Sequence, residues 1–361
     1  MSENSKTCKH VIDLSEIPAD KCNKIISLAN DIIENPKAFS KRLEGKILAT
    51  LFYEPSTRTQ MSFQTAMYRL GGQVIGFDNP ANSSVSKGEN IKDTARIISG
   101  YADAIVVRHP KEGAARAFAL EAGVSVINAG DGGHLHPTQT LTDLVTMSHE
   151  IGRLDNLTLG FCGDLKNGRT VHSLIKFMVR YKTNKFVLVS TKELQIPEYI
   201  KLILDKSGCQ YKMAKTLEEV MPELDVLYMT RIQRERFLSE EDYLKQSANY
   251  ILDVEKMALG KASLKVLHPL PRVDEIDYAV DDDPRSAYFK QAVYGMYGRM
   301  ALLVTLLEDD DFSKDCTTNI SLPKKKCLNP NCISNCEEYL TKYNYILDEK
   351  AYCEYCDHII D

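Results

Sequence analysis

Short apolar runs alternate with helix-spaced amphipathic segments from Ile47 onward, and this alternation constrains the fold more than any other feature. Apolar runs at 47–52, 73–77, 104–107 and 124–128 are separated by helical patterns at 57–70, 91–99 and 114–122, after a first helix at 15–39. A helix over 138–147 closes this half. Beyond Gly152 the pattern restarts, with runs at 157–162, 186–190, 225–229 and 264–267 and helices at 170–181, 197–206 and 285–307. The stretch 239–246 is polar and helix-prone. Runs this short and this uniformly apolar are the mark of strands buried on both faces. Strand–helix alternation implies parallel sheets with right-handed crossovers. The expected fold is α/β, two doubly wound parallel-sheet domains, and 361 residues are enough for both. The boundaries read as 1–150 and 151–284, with the final helix 285–307 packing back on the first domain. A charged linker over 308–326 leads to a tail at 327–361.

Ligands of such sheets gather outside the carboxyl ends of the strands. The run 47–52 feeds Tyr53, Glu54, Pro55, Ser56, Thr57, Arg58 and Thr59. Ser56 or Thr57 can cap the helix that follows. The unpaired N–H groups of its first turn, the positive end of its dipole, the Arg58 guanidinium and the hydroxyls of Ser56, Thr57 and Thr59 together suit a dianionic phosphate. The plain alternative is a capped helix with a surface arginine. Arg108 ends the next strand, and His136 lies in the loop after the strand 124–128. The polar loop 78–89 offers Ser83, Ser84 and Lys87. In the second half Arg169, Arg231, Gln233 and Arg272 sit at strand ends. Arginine forks suit carboxylates, although most exposed arginines serve only in surface ion pairs.

Apolar residues make up 43% of the chain and charged ones 26%, with a net charge of -5, which argues for a globular protein and against a nucleic-acid partner. No window approaches a membrane span, and the polar start lacks a secretory apolar core, so a cytoplasmic protein is expected. Of 10 cysteines, five crowd the tail: Cys327, Cys332, Cys336, Cys353 and Cys356. The pairs Cys327/Cys332 and Cys353/Cys356 have the spacing of a tetrahedral Zn²⁺ site in a reducing compartment. Cys336 is left as a spare or a substitute, and His358 is a weaker substitute.

Five segments together resemble the aspartate carbamoyltransferase catalytic-chain family. They are 52–59 (Phe-Tyr-Glu-Pro-Ser-Thr-Arg-Thr), 108–110 (Arg-His-Pro), 136–139 (His-Pro-Thr-Gln), 164–169 (Asp-Leu-Lys-Asn-Gly-Arg) and 268–275 (His-Pro-Leu-Pro-Arg-Val-Asp-Glu). The resemblance runs over about residues 14–307. Its ornithine-specific sister family would carry a cysteine in place of Pro269. The resemblance implies transfer of a carbamoyl group from carbamoyl phosphate to L-aspartate in de novo pyrimidine biosynthesis. Transfer to another amino acid, or a non-catalytic scaffold, are the alternatives. It implies that Ser56, Thr57, Arg58, Thr59 and Arg108 bind the phosphate. Thr59, Arg108 and His136 polarise the carbamoyl oxygen, and Gln139 orients the amino group. Backbone carbonyls near Pro269 and Leu270 face the reacting nitrogens. Arg169, Arg231 and Gln233 hold the aspartate carboxylates. Ser84 and Lys87 enter a neighbouring subunit's site in a homotrimer, where Lys87 also meets aspartate. No cofactor is implied for the chemistry, and no membrane or nucleic-acid partner. The tail resembles the zinc domain of that enzyme's separate regulatory chain, with Cys327, Cys332, Cys353 and Cys356 as ligands.

Overall fold

The computed structural model describes residues 10–232, 250–309, 325–347 and 350–360. Gln233, the stretch 239–246 and most of the linker lie outside the described residues. The chain divides into two compact units, 1–138 with 296–361, and 139–295.

The first unit is built on four parallel strands, β1 (Ile47–Phe52), β2 (Gln73–Phe77), β3 (Ala104–His109) and β4 (Ser125–Asp131). Their order is β2-β1-β3-β4. β1, β3 and β4 are buried almost throughout, while β2 is a half-exposed edge. Helices α1 (Ala19–Glu34), α2 (Thr57–Arg69), α3 (Ile91–Ser99) and α4 (Ala114–Glu121) flank the strands in sequence, and α5 (Pro137–Ile151) crosses the unit boundary. The single helix expected over 15–39 is shorter. Pro18 sets its start, and Pro36 disfavours helical backbone at Asn35 and ends it, leaving a 3-10 turn at Pro36–Phe39. From β1 the chain goes to β2 on one side, then returns to place β3 on the other. The switch point of the sheet therefore lies between the carboxyl ends of β1 and β3.

The second unit repeats the logic with β5 (Thr158–Cys162), β6 (Lys185–Val189), β7 (Gln210–Ala214), β8 (Val226–Met229) and β9 (Lys265–Leu267). All are parallel in the order β7-β6-β5-β8-β9, so its switch point lies between β5 and β8. β7 is an edge strand of mixed polarity and carries no apolar run, so the sequence pattern misses it. Helices α6 (Arg169–Met178), α7 (Glu198–Ser207), α8 (Val254–Leu259) and α9 (Tyr288–Glu308) follow. α8 is too short for a periodic signal, but Asp253 caps it through Lys256 N–H at 2.8 Å.

The tail forms a hairpin, β10 (Asn344–Leu347) and β11 (Lys350–Cys353), and joins the core of the first unit beside Ile105, Val107 and Phe118. Glu112 N–H donates to Asn331 O at 3.0 Å, and Ile333 N–H donates to Glu112 O at 2.8 Å. Gly113 has φ +82°, and a Cβ there would stand 2.5 Å from the Cβ of Tyr355, so only glycine lets the tail close. No helix among the described residues is long and apolar enough to cross a membrane.

Candidate active site

Three neighbouring strands deliver the first group of candidate residues to one edge. Phe52 and Arg108 are paired in register, and Tyr53 N–H donates to Arg108 O at 2.8 Å. Ser56 occupies the N-cap of α2, but neither it nor Thr57 caps through its side chain, against the sequence expectation. The first-turn N–H groups have no intrahelical partner there. Thr57 and Arg58 are exposed, Ser56 is half-buried and Thr59 is buried. Arg58 makes no ion pair with any described residue, which leaves its fork available to an anion.

Arg108 is buried at 8% exposure, its Nη2 3.0 Å from Glu54 Oε2 and its Nη1 donating to Ala129 O at 3.2 Å. Glu54 has no role in the sequence reading, yet it compensates this buried charge. Gly130, at φ +121°, explains how Arg108 meets His136. A Cβ at that position would stand 2.7 Å from Arg108 Nη1 and 3.6 Å from His136 Cδ2. A side chain there would displace the Arg108 guanidinium, while His136 would stand at ordinary contact. The loop from Gly130 to the buried His136 is wound around Asp131. That carboxylate accepts from Gly113 N (2.8 Å), Leu135 N (3.0 Å), Asn128 Nδ2 (3.1 Å) and the His134 ring (3.0 Å). His109, by contrast, is structural. Burial pushes its imidazole down to about 4, and Nδ1 accepts from Lys111 N–H at 3.0 Å.

The 78–89 loop ends in a 3-10 turn, Ser84–Lys87, closed by Gly88 at φ +91°. Ser83 is spent locally: its hydroxyl donates to Pro80 O at 2.8 Å and accepts from Val85 N–H at 3.3 Å. Ser84 and Lys87 are exposed.

In the second unit Arg169 opens α6 just after β5, and Arg231 follows β8, so both flank that sheet's switch point. The 163–169 loop is fixed from within. Asp164 accepts from Asn167 N–H at 3.0 Å, and His172 Nε2 donates to Leu165 O at 2.7 Å while Nδ1 accepts from Tyr199 O–H at 2.8 Å. Burial pushes His172 down to about 4, which keeps it neutral for that arrangement. Arg272 is committed elsewhere. Both of its terminal nitrogens pair with Asp281, and its guanidinium carbon lies 4.5 Å from the Tyr278 ring centroid.

Pro269 and Leu270 follow β9. His268 Nε2 donates to Glu275 Oε1 at 2.7 Å, and its Nδ1 accepts from Leu270 N–H at 2.8 Å. Leu270 holds φ +52°, a costly conformation for a branched residue that is stabilised by this ring of hydrogen bonds. Gln139 Nε2 donates to Asp143 Oδ1 at 2.8 Å.

The tail brings together Cys327, Cys332, Cys353 and Cys356, all buried, with their sulfurs within 4.8 Å of one another. Cys327 and Cys356 are 3.6 Å apart, and Cys332 and Cys353 3.7 Å. Tetrahedral Zn–S bonds of about 2.3 Å require an S···S edge of about 3.8 Å, so these sulfurs fit that ion. Hydrogen bonds from Cys353, Cys356 and Ser334 hold the Cys332 thiol well below its ordinary range. Asn329 N–H reaches Cys327 Sγ at 3.4 Å, the kind of support that tunes thiolate ligands. Cys336 is exposed, and neither it nor His358 belongs to the cluster.

Comparisons with known proteins agree with this geometry. Residues 9–149 match the family model for the aspartate/ornithine carbamoyltransferase carbamoyl-P binding domain, and 155–306 match its Asp/Orn binding domain. The aspartate carbamoyltransferase catalytic subunit of Clostridium acetobutylicum is 59% identical over 300 residues, 83% of this chain and 98% of that one. Among solved structures, the catalytic subunit of M. jannaschii aspartate transcarbamoylase aligns with a TM-score of 0.80 at 48% identity, covering 83% of this chain and 98% of that chain. The Trypanosoma cruzi enzyme in complex with carbamoyl phosphate and aspartate aligns with a TM-score of 0.76 at 38% identity, covering 82% and 95%.

Proposed function

Since the chain belongs to the aspartate/ornithine carbamoyltransferase family, we propose that it transfers the carbamoyl group of carbamoyl phosphate to L-aspartate, giving N-carbamoyl-L-aspartate and phosphate. The observation that carries this reading is the convergence of Arg108 and His136 on Gly130, beside the uncapped start of α2 at the β1/β3 switch point. De novo pyrimidine biosynthesis is the role this reaction would serve.

The first turn of α2, with Ser56, Thr57, Arg58 and Thr59, holds the phosphate as charge-assisted and dipole-favoured contacts. The neutral amine of aspartate attacks the carbamoyl carbon, and negative charge develops on the carbonyl oxygen. Thr59, Arg108 and His136 are preorganised donors for that oxyanion, the arrangement that lowers such barriers most. Gln139 and the backbone carbonyls near Pro269 and Leu270 accept from the nitrogens. The intermediate collapses by breaking the C–O bond to phosphate, which can take up the amine proton. Arg169 and Arg231, with Gln233, bind the two aspartate carboxylates; the position of Arg169 and Arg231 at the β5/β8 switch point supports this. We assign the donor domain to residues 1–150 with the last helix and the acceptor domain to 151–284; the two compact units divide instead inside α5 and α9, at 138/139 and 295/296. The active form is a homotrimer in which Ser84 and Lys87 enter a neighbour's site.

The four tail cysteines hold a structural Zn²⁺, which supplies folding energy to a segment too small to bury much apolar surface. The deciding experiment supplies carbamoyl phosphate with aspartate or with ornithine and measures the ureido product. Product from aspartate alone is expected; turnover with ornithine, or none with either, would defeat the proposal.

A further inference from the structure

Asp143 is fully buried one helical turn beyond Gln139 on α5. Its Oδ1 accepts from two glutamines, Gln139 Nε2 at 2.8 Å and Gln291 Nε2 at 2.6 Å. A carboxylate accepts and cannot donate, so it selects the nitrogen end of each amide. For Gln291 the consequence is visible: its oxygen end accepts the backbone N–H of His268 at 2.9 Å, at the start of the 268–271 loop. For Gln139 the same logic leaves the oxygen end as the one turned from Asp143, and no described residue donates to it. The buried Tyr228 hydroxyl, whose pKa burial and then Asp143 push well up, adds a neighbour that stays protonated.

We propose that Asp143 is a specificity-determining positioning residue: by fixing the amide of Gln139 it presents an acceptor to the donor substrate, and so selects a carbamoyl over an acetyl group. A carbamoyl nitrogen offers two N–H donors, whereas an acetyl methyl offers none. A site built to bond an N–H rejects the analogue that lacks it, because the site's own acceptor is left unpaired. Asparagine at this position offers either end of its amide, so Gln139 is free to flip and face the substrate with its own donors. This rests on the reading of Gln139 as the residue that meets the carbamoyl nitrogen.

The test measures dissociation constants of carbamoyl phosphate and acetyl phosphate, by calorimetry on the whole chain without aspartate, together with kcat and KM. Asp143→Asn should weaken carbamoyl phosphate by ~10-fold or more and leave acetyl phosphate within about twofold, collapsing the preference. Asp143→Glu, which keeps an acceptor-only group, should recover part of it. If Asp143→Asn does not fold, Asp143→Ser carries the same test, since a hydroxyl also both donates and accepts. An unchanged preference overturns the proposal, and so does an equal loss for both ligands, which would mark general damage. Gln139→Met separates the two layers. If it leaves the preference intact, the reading of Gln139 fails; if it erases the preference while the Asp143 variants do not, only the role of Asp143 fails.

Discussion

His134 Nε2 lies 3.1 Å from Asp357 Oδ2 while its Nδ1 lies 3.0 Å from Asp131 Oδ2, so one imidazole joins the four-cysteine module to the loop that carries His136. Both ring nitrogens can donate only in the charged form. Burial alone would lower the pKa, but the carboxylates of Asp131 and Asp357 outweigh it and raise it from 6.5 to about 10. A raised folded-state value means stability that is complete below about pH 6.5 and is lost as pH rises toward 10. Tyr345, which donates to Asp357 at 3.0 Å, is pushed above this window and stays protonated. Asp357→Asn should therefore lower the melting temperature at pH 7 and cost progressively less toward pH 10. A gap between wild type and variant that stays constant over that range would count against the clamp.

Arg58→Ala should lower turnover by at least ~10²-fold, since it removes a charge-assisted contact to a group whose charge grows in the transition state. Arg58 is exposed and pairs with no described residue, so the fold has little to lose. Circular dichroism should be unchanged. A folded Arg58→Ala protein with near-normal rates would remove this residue from the mechanism.

Protein purified without chelator should contain one zinc per chain. Cys332→Ser should lose it, because three thiolates and a hydroxyl make a poorer tetrahedral site. The tail packs on Gly113 and Glu112, so loss of metal should also expose that face and speed proteolysis after about residue 325. Metal analysis that finds no zinc, or full resistance to protease in the metal-free protein, would contradict the structural role.

Local chemistry made part of this molecule legible. β1 and the start of α2 were readable because an apolar run, a proline and a hydroxyl residue follow one another within ten positions. The four cysteines were readable because ligand spacing is itself local. Long-range partnerships were not. Glu54 pairs with Arg108, and Asp143 with Gln291, across gaps that carry no periodicity. The role of Gly130 is steric, giving room to the Arg108 guanidinium that only the fold brings to it. The caps of α2 failed for the opposite reason: local rules assign Ser56 a partner that the site leaves unmade. That departure from local preference falls where an anion is expected, which is where such departures concentrate.

Lys87 and Arg58 allow a test of the trimer. Both are exposed, and Lys87 makes no ion pair with any described residue. It sits in a 3-10 turn between Ser83 and Gly88, which Val85 N–H to Ser83 Oγ helps to hold, and no described residue uses its cation. A cation held in this way is suited to completing an anion site on another copy. Lys87→Ala and Arg58→Ala chains should each be inactive alone. In a mixed trimer some sites take Arg58 from one variant and Lys87 from the other, and those sites are intact. Dissociating and reassembling an equal mixture should then restore a fraction of wild-type activity, rising with the proportion of mixed trimers seen by native mass spectrometry. Mixed trimers that form and remain inactive would show that each chain completes its own site.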